Sequence, residues 1–141
     1  MPVVRPYCTF RVDGLWLGVD VLEVQEVIRH RTPTRVPTAP PVIHGLINLR
    51  GQIVTVLDLR GRLGLAPHGP LFERPMSVVV RAQGGAVGLV VDEMGDVREV
   101  DEAALGRPPE TIPEAVRRVV SGLYPSEGRS LLVLDIAKVV E

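Results

Sequence analysis

Short apolar runs broken by glycine, proline and charged residues set the pattern of this chain. Tyr7 to Val12 alternates polar with apolar positions, Asp13-Gly14 supplies a two-residue turn and Leu15 to Val19 returns, which predicts an opening hairpin with Trp16 packed in a core. Val21 to Ile28 admits two periods: Val24, Val27 and Ile28 share a helical face, whereas Val24, Glu26 and Ile28 share a strand face. The reading adopted is a short turn followed by a strand. Arg29 to Arg35 forms a basic loop closed by Pro33 and Pro37, and Pro40 to Gly45 is compatible with one helical turn begun by proline and ended by glycine.

Leu46 to Leu49 and Ile53 to Leu57 are β-type runs that meet at Arg50-Gly51-Gln52, a second tight hairpin. Arg50 is conspicuous there, since a guanidinium held against a packed sheet needs a carboxylate or carbonyl partner. Glu26 is the candidate, in a bidentate and partly buried pair if its strand lies beside the hairpin. Asp58 suits the N-cap of a brief helix through Leu63, and Ala66 to Pro75 reads as a loop. Met76 to Ala82 has the near-continuous apolar run of a strand covered on both faces, Gln83-Gly84-Gly85 turns it, and Ala86 to Val91 pairs back. Asp101 to Ile112 is loop, Ala115 to Leu123 and Ser130 to Leu134 are strand candidates, and Asp135 caps a closing helix to Glu141.

A count of about ten short strands with three or four helical turns predicts an all-β protein built from small closed barrels, which also hide sheet edges. A weak internal echo supports two of them: Gly18-Val19-Asp20 with Val24 to Val27 resembles Gly88 to Asp92 with Val97 to Val100, about 70 residues apart. Composition agrees. Glycine and proline make up 27 of 141 residues, well above the average of roughly 12%, so turns are frequent and long helices few.

Charge removes several functions. Residues 1–70 carry eight Arg and five acids, residues 71–141 eight basic and twelve acidic side chains, so no general polyanion-binding face is indicated. The single cysteine, Cys8, lies in an alternating strand and reads as a buried apolar side chain in a reducing compartment. No run spans a bilayer and the N-terminus is no signal peptide, so a soluble cytoplasmic protein is expected.

Catalysis lacks its parts. His30, His44 and His68 sit in loops or turns without second ligands at metal-binding spacing, and no serine lies in a nucleophile-elbow motif. The acid pairs Asp92-Glu93 and Asp101-Glu102 read as solvated rim charges, because neighbours in a strand face opposite ways. A small barrel that binds nucleic acid is the alternative, with Arg29, Arg31 and Arg35 as its basic loop, but no aromatic is interleaved among them for stacking. What remains is a protein whose face does the work.

The block Gly45-Leu46-Ile47-Asn48-Leu49-Arg50-Gly51-Gln52-Ile53-Val54, then Val56 to Arg60, resembles the signature of the CheW-like family, and Gly18 to Val27 and Gly88 to Val97 fit it in the same order. The resemblance covers nearly the whole chain, 1–141 as a single CheW-like domain of two intertwined five-stranded β-barrel subdomains. It implies a non-catalytic adaptor without cofactor or metal, bridging the cytoplasmic tip of methyl-accepting chemoreceptors and the histidine kinase CheA at membrane-associated arrays, without inserting into the membrane. It further implies a receptor-binding groove of Val24, Glu26, Arg50, Met94 and Val97, with Glu26 and Arg50 as an ion pair, and coupling glycines Gly45, Gly51 and Gly88. Met94 departs from the valine frequent there. An amphipathic helix laid into an apolar seam is the matching physical mode.

Overall fold

The fold, taken from a computed structural model, is described for residues 3–66, 75–125 and 128–140. Ten strands form two five-stranded sheets: β1 (Val4–Val12), β2 (Leu15–Asp20), β3 (Val24–Arg29), β4 (Ile43–Leu49), β5 (Gln52–Asp58), β6 (Met76–Ala82), β7 (Gly85–Val91), β8 (Glu93–Asp101), β9 (Val120–Tyr124) and β10 (Leu131–Leu134). Their orders are β8-β1-β2-β10-β9 and β3-β6-β7-β5-β4. Each half of the chain therefore lends its first hairpin to the other half's strands, and the two units are intertwined.

Each sheet closes on itself. The segment after β3 reaches β4 through Thr34, which exchanges backbone hydrogen bonds with Leu46 at 2.8 and 2.9 Å, and the segment after β8 reaches β9 where Gly106 exchanges two with Leu123 at 2.9 Å each. We call the barrel containing β1 and β2 barrel A and the other barrel B. Gly45 permits the closure in barrel B. Its φ is +146°, and a Cβ there would lie 2.1 Å from the Thr34 carbonyl oxygen, which no side chain tolerates.

The barrels repeat one ladder. A shift of 70 residues carries the pairs Val24 with Val80, Val27 with Val78 and Ile28 with Ser77 onto Met94 with Phe10, Val97 with Cys8 and Arg98 with Tyr7, the partner moving by the same amount the other way. A shift of 77 carries Gly45 with Val56 and Ile47 with Val54 onto Gly122 with Val133 and Tyr124 with Leu131. The echo in the sequence is thus real, but its alignment needs correction. Val24 corresponds to Met94, and the counterpart of Val97 is Val27.

One core joins the barrels. Phe10, Val12, Leu17 and Val19 of barrel A pack with Leu57, Val78, Val80, Leu89 and Val91 of barrel B, and the short helices α1 (Leu59–Arg62), α2 (Glu114–Arg117) and α3 (Ile136–Val140) seal it with Leu59, Val116, Ile136 and Val139. Smaller clusters fill the barrels: Ile47, Leu49, Val54, Val56, Val79, Ala86 and Val90 in B, and Tyr7, Val100, Leu131 and Val133 in A. An ion pair ties the halves together at the edge of this core. Arg60 on α1 holds Asp92, at the β7–β8 junction, at 2.7 Å, and Asp92 accepts the Asp13 N–H from the β1–β2 turn at 2.8 Å.

Several local expectations change. Pro40 to Gly45 turns only as far as Ile43, whose N–H donates to the Pro40 carbonyl at 2.9 Å; β4 begins there, since Gly45 ladders with Val56 and its neighbour Leu46 bonds to Thr34. Ala115 to Leu123 is not one strand but α2 followed by β9, with Pro113 starting the helix. Glu102–Ala104 forms a 3-10 turn within the expected loop, capped by Asp101. Between its ends the expected loop from Ala66 to Pro75 lies outside the described residues, as does Glu141, the expected last residue of the closing helix. Trp16 is only half-buried and does not fill the main core; it takes the place that Ala86 has in barrel B, where a large amphipathic ring cannot be fully covered.

Candidate functional site

The β4–β5 turn builds the most unusual feature. Arg50 and Gly51 both have positive φ, 52° and 86°, as a two-residue hairpin demands. The β1–β2 turn has the same geometry at Asp13 (50°) and Gly14 (82°), and there an aspartate fills the first place, one of the few residues that enters this region readily. Arginine has no such preference. What it contributes is reach: its Nη2 donates to Glu26 Oε2 on β3. The Gly51 N–H donates to Asn48 Oδ1 at 2.8 Å and fixes the turn beneath it.

The pair joins the two residues as the sequence predicts, with different surroundings. The Arg50 side chain is 71% exposed and that of Glu26 23% exposed, and a single nitrogen makes the bond, so the pair is an open surface contact rather than a buried bidentate one. Beside it Gln25 Nε2 donates to Gln52 Oε1 at 2.7 Å, a second link across the same barrel mouth.

Val24 lies at the start of β3, half-buried against the shared core, and a bulge follows it before Glu26. Met94 holds the corresponding place on β8, half-buried against the same core. Val97 is 62% exposed and its counterpart Val27 37% exposed. Two clusters therefore result: Val24, Glu26 and Arg50 on barrel B, and Met94 with Val97 on barrel A. Val27 was missed by sequence reasoning, because the repeat had been aligned on Val24; the β-pairing period of the two hairpins was the signal that could have found it.

The glycines divide. Gly45 is required by barrel closure and Gly51 by the turn, whereas Gly88 has no positive φ and a Cβ there would meet Val54 Cγ1 at an ordinary 3.5 Å. Gly88 is therefore neither a sharp turn nor a close backbone approach.

The candidate chemical groups are engaged elsewhere. His44 Nε2 lies 3.4 Å from Asp58 Oδ2, and Asp58 caps α1. Asp92 is a largely buried partner of Arg60 rather than a solvated rim charge, and Glu93 pairs with Arg11 on the outside. Burial pushes the Cys8 thiol up, away from the thiolate that nucleophilic chemistry needs. Arg31 of the basic loop donates to the Asn48 carbonyl at 3.3 Å and so clasps the barrel. Among the described residues no group of three or more His, Cys, Asp or Glu could hold a metal ion, and no helix is long and apolar enough to cross a membrane.

Fold and site together define a paired-barrel domain whose distinctive chemistry lies on its face, in one strained turn and its ion pair. The model of the CheW-like domain matches residues 6–141. The chain belongs to the CheW family. It is 32% identical over 132 residues to the chemotaxis protein CheW of Bacillus subtilis (strain 168), covering 94% of this chain and 84% of that one. To the chemotaxis protein CheW of Klebsiella aerogenes it is 33% identical over 139 residues, covering 98% and 82%. Among solved structures, the scaffolding protein TtCheW from Thermoanaerobacter tengcongensis superposes with a TM-score of 0.86 at 28% identity, over 100% of this chain and 90% of that chain.

Proposed function

We propose that this protein is a non-catalytic adaptor that couples the cytoplasmic tips of methyl-accepting chemoreceptors to a CheA-type histidine kinase, working in the cytoplasm and recruited to receptor arrays at the membrane. The observation that carries the proposal is Arg50, held at positive φ on an exposed rim for the sake of its contact with Glu26. A structural arginine would not need that turn position.

The seam between the barrels supports a receiving surface. β3 and β8 both leave the shared core at equivalent residues, Val24 and Met94, and each then exposes a valine, Val27 and Val97. A receptor tip that presents amphipathic helices can lay an apolar face on these positions while the Glu26–Arg50 pair fixes the rim. The pair supplies register more than affinity, since an exposed ion pair contributes about 0–1 kcal/mol. The two barrels act as one unit through their common core.

Val97→Arg tests this reading. The side chain is exposed, so the fold tolerates the change, while a charge is forced against the apolar helix face. Receptor fragments are expected to fall out of a pull-down with the variant while the kinase is retained. Receptor capture equal to that of the parent protein refutes the assignment.

A further inference from the structure

The segment from Val27 to Leu57 is free of acids. Its 31 residues carry four arginines and two histidines but no aspartate or glutamate. Within it thirteen residues, 30–42, join β3 to β4, about the length beyond which a connection in a compact domain is usually functional. This loop is held at several points. Thr34 is bonded to Leu46 on β4, the Ala39 N–H donates to the Val36 carbonyl at 3.0 Å, the Ile43 N–H to the Pro40 carbonyl at 2.9 Å and the Asp58 N–H to the Val42 carbonyl at 2.8 Å. Pro33, Pro37, Pro40 and Pro41 fix φ at four more positions.

The loop folds around a cavity of about 480 Å³, within the range of roughly 300–1,000 Å³ that small-molecule sites occupy. All four prolines line it together with Arg35 and His44, and among the described residues no carboxylate does. Arg35 makes no hydrogen bond or ion pair among the described residues, so its donors are available. The His44 ring stands with Nε2 3.4 Å from Asp58 Oδ2. Asp58 is itself buried, and its Oδ1 accepts the Arg60 N–H at 3.0 Å, so this carboxylate is engaged by the imidazole and the helix cap.

From this geometry we infer that the cavity binds a small aromatic carboxylate, its ring against the proline walls and its carboxylate on Arg35. Proline rings present rigid apolar surfaces, and aromatic rings are the surfaces they pair with where proline-rich segments dock. Among the described residues no aromatic side chain lines the cavity, so the ligand supplies the ring. A guanidinium fork matches a carboxylate with two parallel hydrogen bonds. Arg35 is the one arginine lining the cavity among the described residues, and no lysine does, which suits a monoanion; a phosphate dianion leaves part of its charge unmatched there. The walls are fixed before the ligand arrives, so binding carries little cost of ordering them.

Amide NMR of the isotope-labelled full chain tests this and locates the ligand. The protein is titrated with indole-3-acetate, with its neutral twin indole-3-acetamide, with thymidine monophosphate and with the peptide Gly-Gly-Phe. Saturable shifts at the amides of Thr32, Arg35 and His44 are expected with indole-3-acetate, at a Kd of about 1 mM or tighter, as the size of the ligand allows. The acetamide, and separately Arg35→Gln, should each weaken binding at least about tenfold, as loss of one charge-assisted contact implies. Arg35 is exposed, so the variant keeps its fold, and an unchanged spectrum away from the loop checks this. No saturation up to about 10 mM, shifts confined to other parts of the chain, equal binding of the acetamide, or an Arg35→Gln protein that titrates like the parent overturns the inference. So does tighter binding of the nucleotide or of the peptide, which assigns the cavity to phosphate or to a protein terminus instead. Neither receptor nor kinase is present, so a failure here leaves the adaptor reading untouched.

Discussion

Arg50→Asn separates the cost of the turn from its use. Arginine at φ 52° carries the penalty of the left-handed region, about 1–2 kcal/mol for a residue other than Gly, Asn or Asp. Asparagine removes much of that penalty. The substitution also removes the contact with Glu26, and with the arginine 71% exposed that contact returns roughly 0.2–1 kcal/mol. The two effects oppose each other, so stability should stay level or rise by up to about 1 kcal/mol, a shift in Tm of at most about 4 °C for a chain of this size. Urea unfolding measures this directly. In a reconstituted mixture of receptor, kinase and this protein, receptor-dependent phosphorylation by the kinase should nevertheless fall severely, and Arg50→Lys, which keeps the charge but not the fork, should recover only part of it. A variant destabilised by more than about 2 kcal/mol would show that the pair holds the fold together, contrary to the exposed-pair estimate. Full kinase activation by a stable variant would show that the strained arginine has no part in coupling.

Gly45→Ala should destabilise the protein by roughly 2–5 kcal/mol, the sum of left-handed strain and overpacking against Thr34, whereas Gly88→Ala should stay within about 1.5 kcal/mol; denaturant midpoints compare them. Arg60→Met leaves Asp92 partly buried without its nearest cation and should cost about 2–3 kcal/mol, with much of the loss recovered in the double variant that adds Asp92→Asn. The Glu23 carboxyl is pushed above its usual range by burial first and then by Asp20 and Asp135. A raised acid binds protons more readily folded than unfolded, so its contribution to stability declines as pH rises through the window just above pH 4.5 and is least favourable at neutral pH. Glu23→Gln should therefore stabilise the protein at pH 7, by less than about 1 kcal/mol, and the difference should vanish in unfolding curves taken below that window.

The strands were legible where turn chemistry bounded them. Asp13-Gly14 and Arg50-Gly51 gave both hairpins their register, and Asp58 and Asp135 marked the starts of α1 and α3. Pairing between distant strands was not legible, because an exchange of hairpins between the halves leaves every local period unchanged. The parallel contacts of β2 with β10 and of β5 with β7 depend on that exchange alone. Pro40 to Gly45 misled for a related reason: Gly45 looks like a helix stop in isolation, and only the approach of Thr34 explains its φ. The contact between Glu26 and Arg50 could be reached from charge bookkeeping, but its exposure could not, since no local pattern says which way a turn projects its first residue.

Two barrels with one ladder need not do one job, and the differences between them follow a rule. Positions that point to the shared core stay apolar in both: Val24 and Met94, Val80 and Phe10, Leu57 and Leu134. The mouths face no such constraint, since nothing in the fold requires a particular side chain there once the ladder has closed. Barrel B joins its mouth with an amide pair and places its one strained arginine on the rim; barrel A leaves the space open and gathers two arginines on an indole. Stability accounts for the closed mouth. In barrel A the two arginines share their cavity with the Glu93 and Asp96 carboxylates, so charges of both signs meet at that mouth where barrel B has only a neutral amide pair.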